Sequence, residues 1–208
     1  MKTEKETDIK AEMKTGCSAK RVCDFLLALV AIVVSSPLLL ACWLAVRLGG
    51  GGPAIYRQER IGRYGRPFFI YKFRSMRTDA EHEGPALSGG NDDGRTTRVG
   101  RFMRTRHLDE LPQLWNVLKG DMAFVGPRPE RRCYIELIME RDPRYELLYS
   151  LRPGVTSYAT LYNGYTDTME KMLRRLELDL HYLGHRSWRL DLQILAATFL
   201  RMAGGKKF

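Results

Sequence analysis

Between Asp24 and Arg47 lie 22 residues, Phe25 to Val46, without a formal charge. As one helix they extend roughly 33 Å, about the thickness of a bilayer core, so this stretch belongs in lipid or deep in a core. Its middle is Ser35-Ser36-Pro37. Proline lacks an N–H and its ring clashes with the carbonyl four residues back, here Val33; the two serine hydroxyls are suited to cap the carbonyls it frees. Both flanks are basic, with Lys20 and Arg21 before the run and Arg47 after it. A re-entrant hairpin breaking at Ser36 and Pro37 keeps both flanks on the positive-inside face, whereas a spanning anchor with a proline kink places one of them across the membrane. The residues leave both geometries open. Leu39-Leu40-Ala41-Cys42 resembles a lipoprotein cleavage site, but the apolar run continues to Val46, and an uncleaved membrane segment is expected.

The 208 residues are 44% hydrophobic and 28% charged, a mixture that excludes disordered and collagen-like chains and is enough for one principal core. The net charge of +10 sits in two tracts: Arg57–Arg77 has seven basic residues and one acid, and Arg95–Arg106 has five and none. Such clustering suits a polyanionic partner: a phosphate ester, a nucleic acid or an anionic membrane surface. The four cysteines show no metal spacing and are too sparse for a disulfide scaffold.

Residues 1–19 interleave Lys and Glu and are expected to be a mobile charged tail, 20–48 the membrane segment and 49–208 the remaining domain, with Gly49–Pro53 as hinge. Ala54–Arg60 and Pro67–Met76, joined at Arg63-Tyr64-Gly65-Arg66, predict a hairpin. Asp79–Gly94 has Gly-Pro, Gly-Gly and Asp-Gly pairs and predicts a loop over a site. Leu111, Leu114, Trp115 and Leu118 predict a helix capped by Asp109 and closed by Gly120. Met169, Met172, Leu173, Leu176, Leu180 and Leu183 form the apolar stripe of another helix after an Asp167 cap, and Ser187–Met202 predicts a last one that packs on the core or lies along a membrane interface. His181 and His185 lack a third ligand and are expected to be structural.

Chemistry concentrates in Arg95–Pro129. Adjacent Asp109 and Glu110 follow five arginines at an expected helix start, where unpaired N–H groups keep a carboxylate ionised. Such an acid can attack phosphorus to form an acyl phosphate while its neighbour holds a divalent cation or moves a proton, provided cations screen the phosphate charge. The alternative is a plain helix cap beside a solvated acid. Gly126-Pro127-Arg128-Pro129 weighs against it, because a rigid turn with one arginine between two prolines aims a guanidinium.

These pieces resemble a known family, the monotopic phosphoglycosyl transferases or bacterial sugar transferases. The matching segments are the apolar run with Ser36-Pro37, YKFRSM at 71–76, TRVGRFMR at 97–104, LDELPQLWNVLKGDM at 108–122, VGPRPE at 125–130, LRPGVTSYA at 151–159 and LDLQIL at 190–195. The resemblance implies an α+β, mainly helical fold with an N-terminal re-entrant membrane helix, a compact cytoplasmic catalytic domain and interfacial helices. It implies transfer of a sugar 1-phosphate from a UDP-sugar to a polyprenol phosphate with release of UMP, at the cytoplasmic face of the bacterial inner membrane. Asp109 maps to the nucleophile and metal ligand, Glu110 to the assisting acid, Lys72, Arg104 and Arg128 to substrate phosphate binding, and Mg2+ to the cofactor. Thr105-Arg106-His107 stands where a small polar residue is commoner, and residues 161–172 replace a more usual glycine-arginine loop; both bear on substrate preference. The competing class is a membrane-tethered protein binding nucleic acid or anionic lipid without catalysis. No nucleic-acid signature is present in the sequence, and no nucleic-acid partner is expected.

Overall fold

In the computed structural model, residues 2–49, 52–80, 94–164 and 166–203 are described, with side chains in the first helix from Ala19 onward. The expected loop at 79–94 therefore falls largely outside the described residues. The first helix, α1 (Lys2–Leu48), is continuous through Pro37 and includes the segment expected to be a mobile tail. Its portion Ala19–Leu48 is long and apolar enough to cross a membrane. At the proline, Ser36 Oγ donates to Val33 O at 2.8 Å and Ser35 Oγ to Ala31 O at 2.6 Å, so a hydroxyl replaces the N–H that proline removes.

The middle of this apolar portion exposes its side chains, Val33 and Val34 most of all, while the stretches on either side of it are bound to the rest of the chain. Near the start, Arg21 donates to Val117 O and Leu118 O, and Ala28 packs with Ile70, Val117 and Met122. Near the end, Cys42 and Val46 pack with Ala54, Phe73 and Met103. The flanking cations are thus structural partners as well: Lys20 lies 2.6 Å from Asp191, which also accepts from Tyr182 OH.

Strands β1 (Ile55–Ile61) and β2 (Pro67–Phe73) form the expected hairpin, antiparallel with Tyr56 opposite Lys72, and Tyr64 turns it at φ 61°. Alternation along β2 buries Ile70 in the core, with Lys72 on the same face at the site. Helix α2 (Arg98–Thr105) is capped by Thr97 and closes onto the segment after β2; a Cβ on Gly100 would lie 1.9 Å from Ser75 O, so only glycine lets the two backbones meet.

Helix α3 (Gln113–Lys119) ends at Gly120, φ 91°, as expected, but it begins at Pro112. Asp109 is not its cap: Leu108–Glu110 form a separate 3-10 turn, because His107 adopts a left-handed conformation (φ 55°, ψ 20°) that reverses the chain after α2. Strands β3 (Ala123–Val125) and β4 (Gly154–Thr156), too short to carry a periodic signal, pair in parallel. Gly126 and Gly154 touch backbone to backbone beside them, where a Cβ on Gly154 would lie 2.2 Å from Gly126 N.

Helices α4 (Arg132–Met139), α5 (Tyr158–Asn163), α6 (Met169–His185) and α7 (Trp188–Ala203) complete a mainly helical chain with two small sheets. The cap of α6 is Thr168, whose hydroxyl accepts from Lys171 N, while Asp167 pairs with the Lys171 ammonium. The rings of His181 and His185 stack on each other at 4.1 Å.

Candidate active site

Four elements converge on the dyad. The 3-10 turn presents Asp109 and Glu110, β2 brings Lys72, the turn after β3 brings Arg128, and α2 brings Arg104. Lys72 Nζ lies 2.6 Å from Glu110 Oε1, and an Arg128 guanidinium nitrogen 3.8 Å from the same oxygen. The sequence-selected residues Lys72, Glu110 and Arg128 are therefore in one cluster, and Arg104 acts on Asp109 by its charge. Ser36 and Pro37 belong to the membrane helix and are not part of the cluster.

The two acids are shifted in opposite directions. Burial pushes Glu110 up, but Lys72 and Arg128 outweigh it and hold the carboxyl down to about 2. Asp109 is 7% exposed, and burial together with the Glu110 charge raises it against the pull of Lys72, Arg104 and His107. The α-helix start expected at Asp109 is absent: the pair lies in the 3-10 turn and α3 begins beyond it. Among the described residues no hydrogen bond or ion pair engages the Asp109 carboxylate. A carboxylate at 7% exposure in the field of Lys72, Arg104 and His107 is suited to meet an electrophile or a cation.

Among the described residues no three His, Cys, Asp or Glu side chains form a metal cluster. Magnesium needs less: it is commonly held by one or two carboxylates together with substrate phosphates and water. Asp109 provides one such carboxylate, while Glu110 is already neutralised, so the donor set fits a cation that arrives with a diphosphate.

The orientation of the cluster depends on residues that the motif reading overlooked. Asn116, completely buried, accepts from Tyr71 N at 3.1 Å and donates to Phe69 O at 2.7 Å, locking α3 to the strand that carries Lys72. Glu130 bridges Arg60 and Arg175 at 3.5 and 2.7 Å, just beyond the arginine turn. An asparagine directly after a tryptophan on a short apolar helix was the available signal for the first. The second closes the VGPRPE segment, but its partners Arg60 and Arg175 lie 70 and 45 positions away.

Comparison with known proteins places these features in a family. The model described as bacterial sugar transferase matches residues 15–205. The chain is 39% identical over 186 residues to the UDP-N-acetylgalactosamine-undecaprenyl-phosphate N-acetylgalactosaminephosphotransferase of Aeromonas hydrophila, covering 89% of this chain and 44% of that protein. It is 40% identical over 184 residues to the UDP-glucose:undecaprenyl-phosphate glucose-1-phosphate transferase of Escherichia coli (strain K12), covering 88% and 39%. With the protein of the same name from Caulobacter vibrioides it shares 41% identity over 184 residues, covering 86% and 67%. The chain thus spans about two fifths of the length of the first two relatives.

Proposed function

The chain belongs to the bacterial sugar transferase family, and from that premise we propose that it moves a sugar 1-phosphate from a UDP-sugar to a polyprenol phosphate through a covalent aspartyl intermediate on Asp109. The observation that carries the proposal is the buried carboxylate of Asp109, unpartnered among the described residues and adjacent to an acid already neutralised by Lys72 and Arg128. In the first step an Asp109 oxygen bonds to the sugar-linked phosphorus, and the bond from that phosphorus to the bridging oxygen breaks, so the electron pair leaves with UMP. In the second, a phosphate oxygen of the lipid bonds to the same phosphorus and the Asp109 oxygen leaves as carboxylate. Neither step consumes a proton overall.

Asp109 must be anionic to attack, and its surroundings set the condition. Burial and Glu110 disfavour the charge; Lys72, Arg104 and His107 favour it. Asp109 is the residue that would hold magnesium, which would supply further positive charge to the transferring group when bound. Lys72 keeps Glu110 ionised and in place, and Arg128 presents a fork that matches a phosphate. The relatives are named for UDP-sugars and undecaprenyl phosphate, which supports those substrate classes for this chain. None of these names favours the alternative of a non-catalytic basic binding protein.

The same reading places the chain at the bacterial inner membrane with its catalytic part on the cytoplasmic face. Re-entry of α1 is supported by its attachment on both sides of its exposed middle to one set of elements, with Arg21 and Ala28 against α3 and Cys42 and Val46 against β2 and α2. A lipid phosphate at the surface then reaches the dyad without crossing. Along α7, Trp188, Leu192, Phe199 and Leu200 are all at least half exposed, as an interfacial helix requires.

The test is UMP release from UDP-sugars in the presence of magnesium and a polyprenol phosphate. Release by the wild type and its loss in Asp109→Ala are expected. Undiminished release by the folded variant would contradict the proposal.

A further inference from the structure

Just before its uncharged run, α1 carries Lys20, Arg21 and Asp24, and each of them holds a different part of the chain. Lys20 meets Asp191 on α7, and Asp24 Oδ1 accepts from Phe124 N on β3 at 3.3 Å. Arg21 reaches α3 with two bonds: Nη1 donates to Val117 O at 2.5 Å and Nη2 to Leu118 O at 2.6 Å. The last carbonyls of a helix lack partners within it, and a guanidinium fork matches two consecutive ones where an ammonium is a single point charge. The end of α3 is shaped for this approach. Gly120 closes the helix at φ 91°, and a Cβ there would lie 3.2 Å from Arg21 Nη2. On its own helix the guanidinium lies 5.7 Å from the centre of the Phe25 ring.

The element that Arg21 grips is the one next to the dyad. The cap of α3, Pro112, stands two residues after Glu110, and Asn116 ties the same helix to the strand that carries Lys72. Seven helical residues extend on the order of 10 Å, so little more than the length of α3 separates the gripped carbonyls from the dyad. Arg21 is in turn tied to the membrane surface. In the membrane reading of α1, the guanidinium stays with water and headgroups, while the run that begins four residues later at Phe25 enters lipid. Ala28, two turns further on, packs with the Val117 side chain, but apolar contact has no direction. The two carbonyl bonds are directional, and they set the height and rotation of α3 against α1.

We propose that Arg21 is a positioning residue for the lipid substrate: by bonding the end of α3 it fixes the height of the dyad against the bilayer. The consequence for activity rests on the transferase reading, whereas the attachment of α3 to α1 does not. A UDP-sugar is dissolved in water and reaches the dyad at any height. A polyprenol phosphate is confined to the membrane surface, and its phosphate meets Asp109 only where the two levels coincide. Loosening α3 from α1 therefore weakens the encounter with the lipid and leaves the handling of the UDP-sugar intact. Lys20 and Asp24 bond to α7 and β3, so they keep α1 attached without setting the level of α3.

The experiment compares Arg21→Lys, which keeps the charge and loses the fork, with Arg21→Met, which keeps only an apolar stem, using the full chain in nanodiscs. UMP release gives KM for the polyprenol phosphate, KM for the UDP-sugar and kcat. Hydrogen exchange is followed in peptides covering 117–122, where the N–H groups of Gly120, Asp121 and Met122 close α3, and 98–105 in α2. For Arg21→Met, KM for the polyprenol phosphate is expected to rise about tenfold, with KM for the UDP-sugar and kcat changed by less than about threefold. Exchange is expected to rise in 117–122 and to stay unchanged in 98–105. Arg21→Lys is expected to fall between Arg21→Met and the wild type. Wild-type exchange at 117–122 in Arg21→Met overturns the proposal, as does a rise of both KM values by the same factor or of neither. If Arg21→Met does not fold, Arg21→Lys decides alone: a rise of about threefold or more confined to the lipid KM supports positioning, and anything else refutes it. A wild type that releases no UMP sinks the transferase reading and leaves exchange at 117–122 to judge the attachment.

Discussion

Two acids near the arginine turn, Glu110 beside the Arg128 side chain and Asp179 in the cavity that Arg128 also lines, are shifted in opposite directions. Glu110 meets side-chain cations, Lys72 at 2.6 Å and Arg128 at 3.8 Å, and is held down to about 2. Asp179 is pushed up to about 7, by burial first and by Glu130 next, because the charge of Arg175 compensates it incompletely. Depth alone does not set the charge of an acid; the number and kind of donors do. The fully compensated acid lies in the proposed reaction centre, where a fixed negative charge organises cations. The undercompensated one lies in the cavity lined by Tyr145 and Arg175, where burial outweighs the one cation beside it.

Removing the cation that maintains this contrast has the largest expected effect. Lys72→Met leaves the part-buried Glu110 with Arg128 and the more distant charge of His107, and kcat/KM for UMP release is expected to fall by roughly 100-fold or more, about 3 kcal/mol of transition-state stabilisation. A fall under about threefold in a folded variant would show that the compensation of Glu110 is irrelevant to turnover. Arg128→Lys keeps the charge and loses the fork, so a smaller loss, about tenfold, is expected and would appear mainly in KM.

The two acids also separate in their response to pH. The Asp179 carboxyl is higher when folded than in the unfolded chain, so the folded state binds the extra proton between about pH 4 and pH 7. Stability from this group is present below that window and is lost as pH rises through it. Glu110 runs the other way, its contribution being present above the ordinary carboxylate range and lost as pH falls toward 2. Urea titrations at pH 5 and pH 8 are thus expected to show a larger drop for the wild type than for Asp179→Asn. Equal drops would remove the contrast between the two acids.

The smallest effect is expected far from both acids. Ser36→Ala removes the hydroxyl that satisfies Val33 O, and a loss below about 1 kcal/mol is expected because Ser35 and the rest of the helix remain. A large loss in thermal stability would show that the proline region bears on the catalytic part after all.

What the sequence made legible follows from the range of each signal. The hairpin, the Gly120 helix end, the dyad and the arginine turn are local patterns, and Lys72, Glu110 and Arg128 do meet. The Asp109 cap failed because Pro112 takes that position and His107 diverts the chain one turn earlier. Strands β3 and β4 were invisible because three residues cannot display a period. Asp179 was hidden in an apolar stripe, where one acid reads as an interruption. Asn116 was missed likewise, since its partners Phe69 and Tyr71 belong to another element.

The central claim is that the Asp109 carboxylate becomes bonded to phosphorus during turnover. Intact-mass analysis after rapid quench, with UDP-sugar and magnesium but no lipid, tests it most directly. A mass increase of one sugar phosphate, localised to Asp109 and discharged by polyprenol phosphate, is expected; an active preparation that shows no adduct on any quench timescale, and transfers sugar phosphate only when both substrates are present, would contradict it.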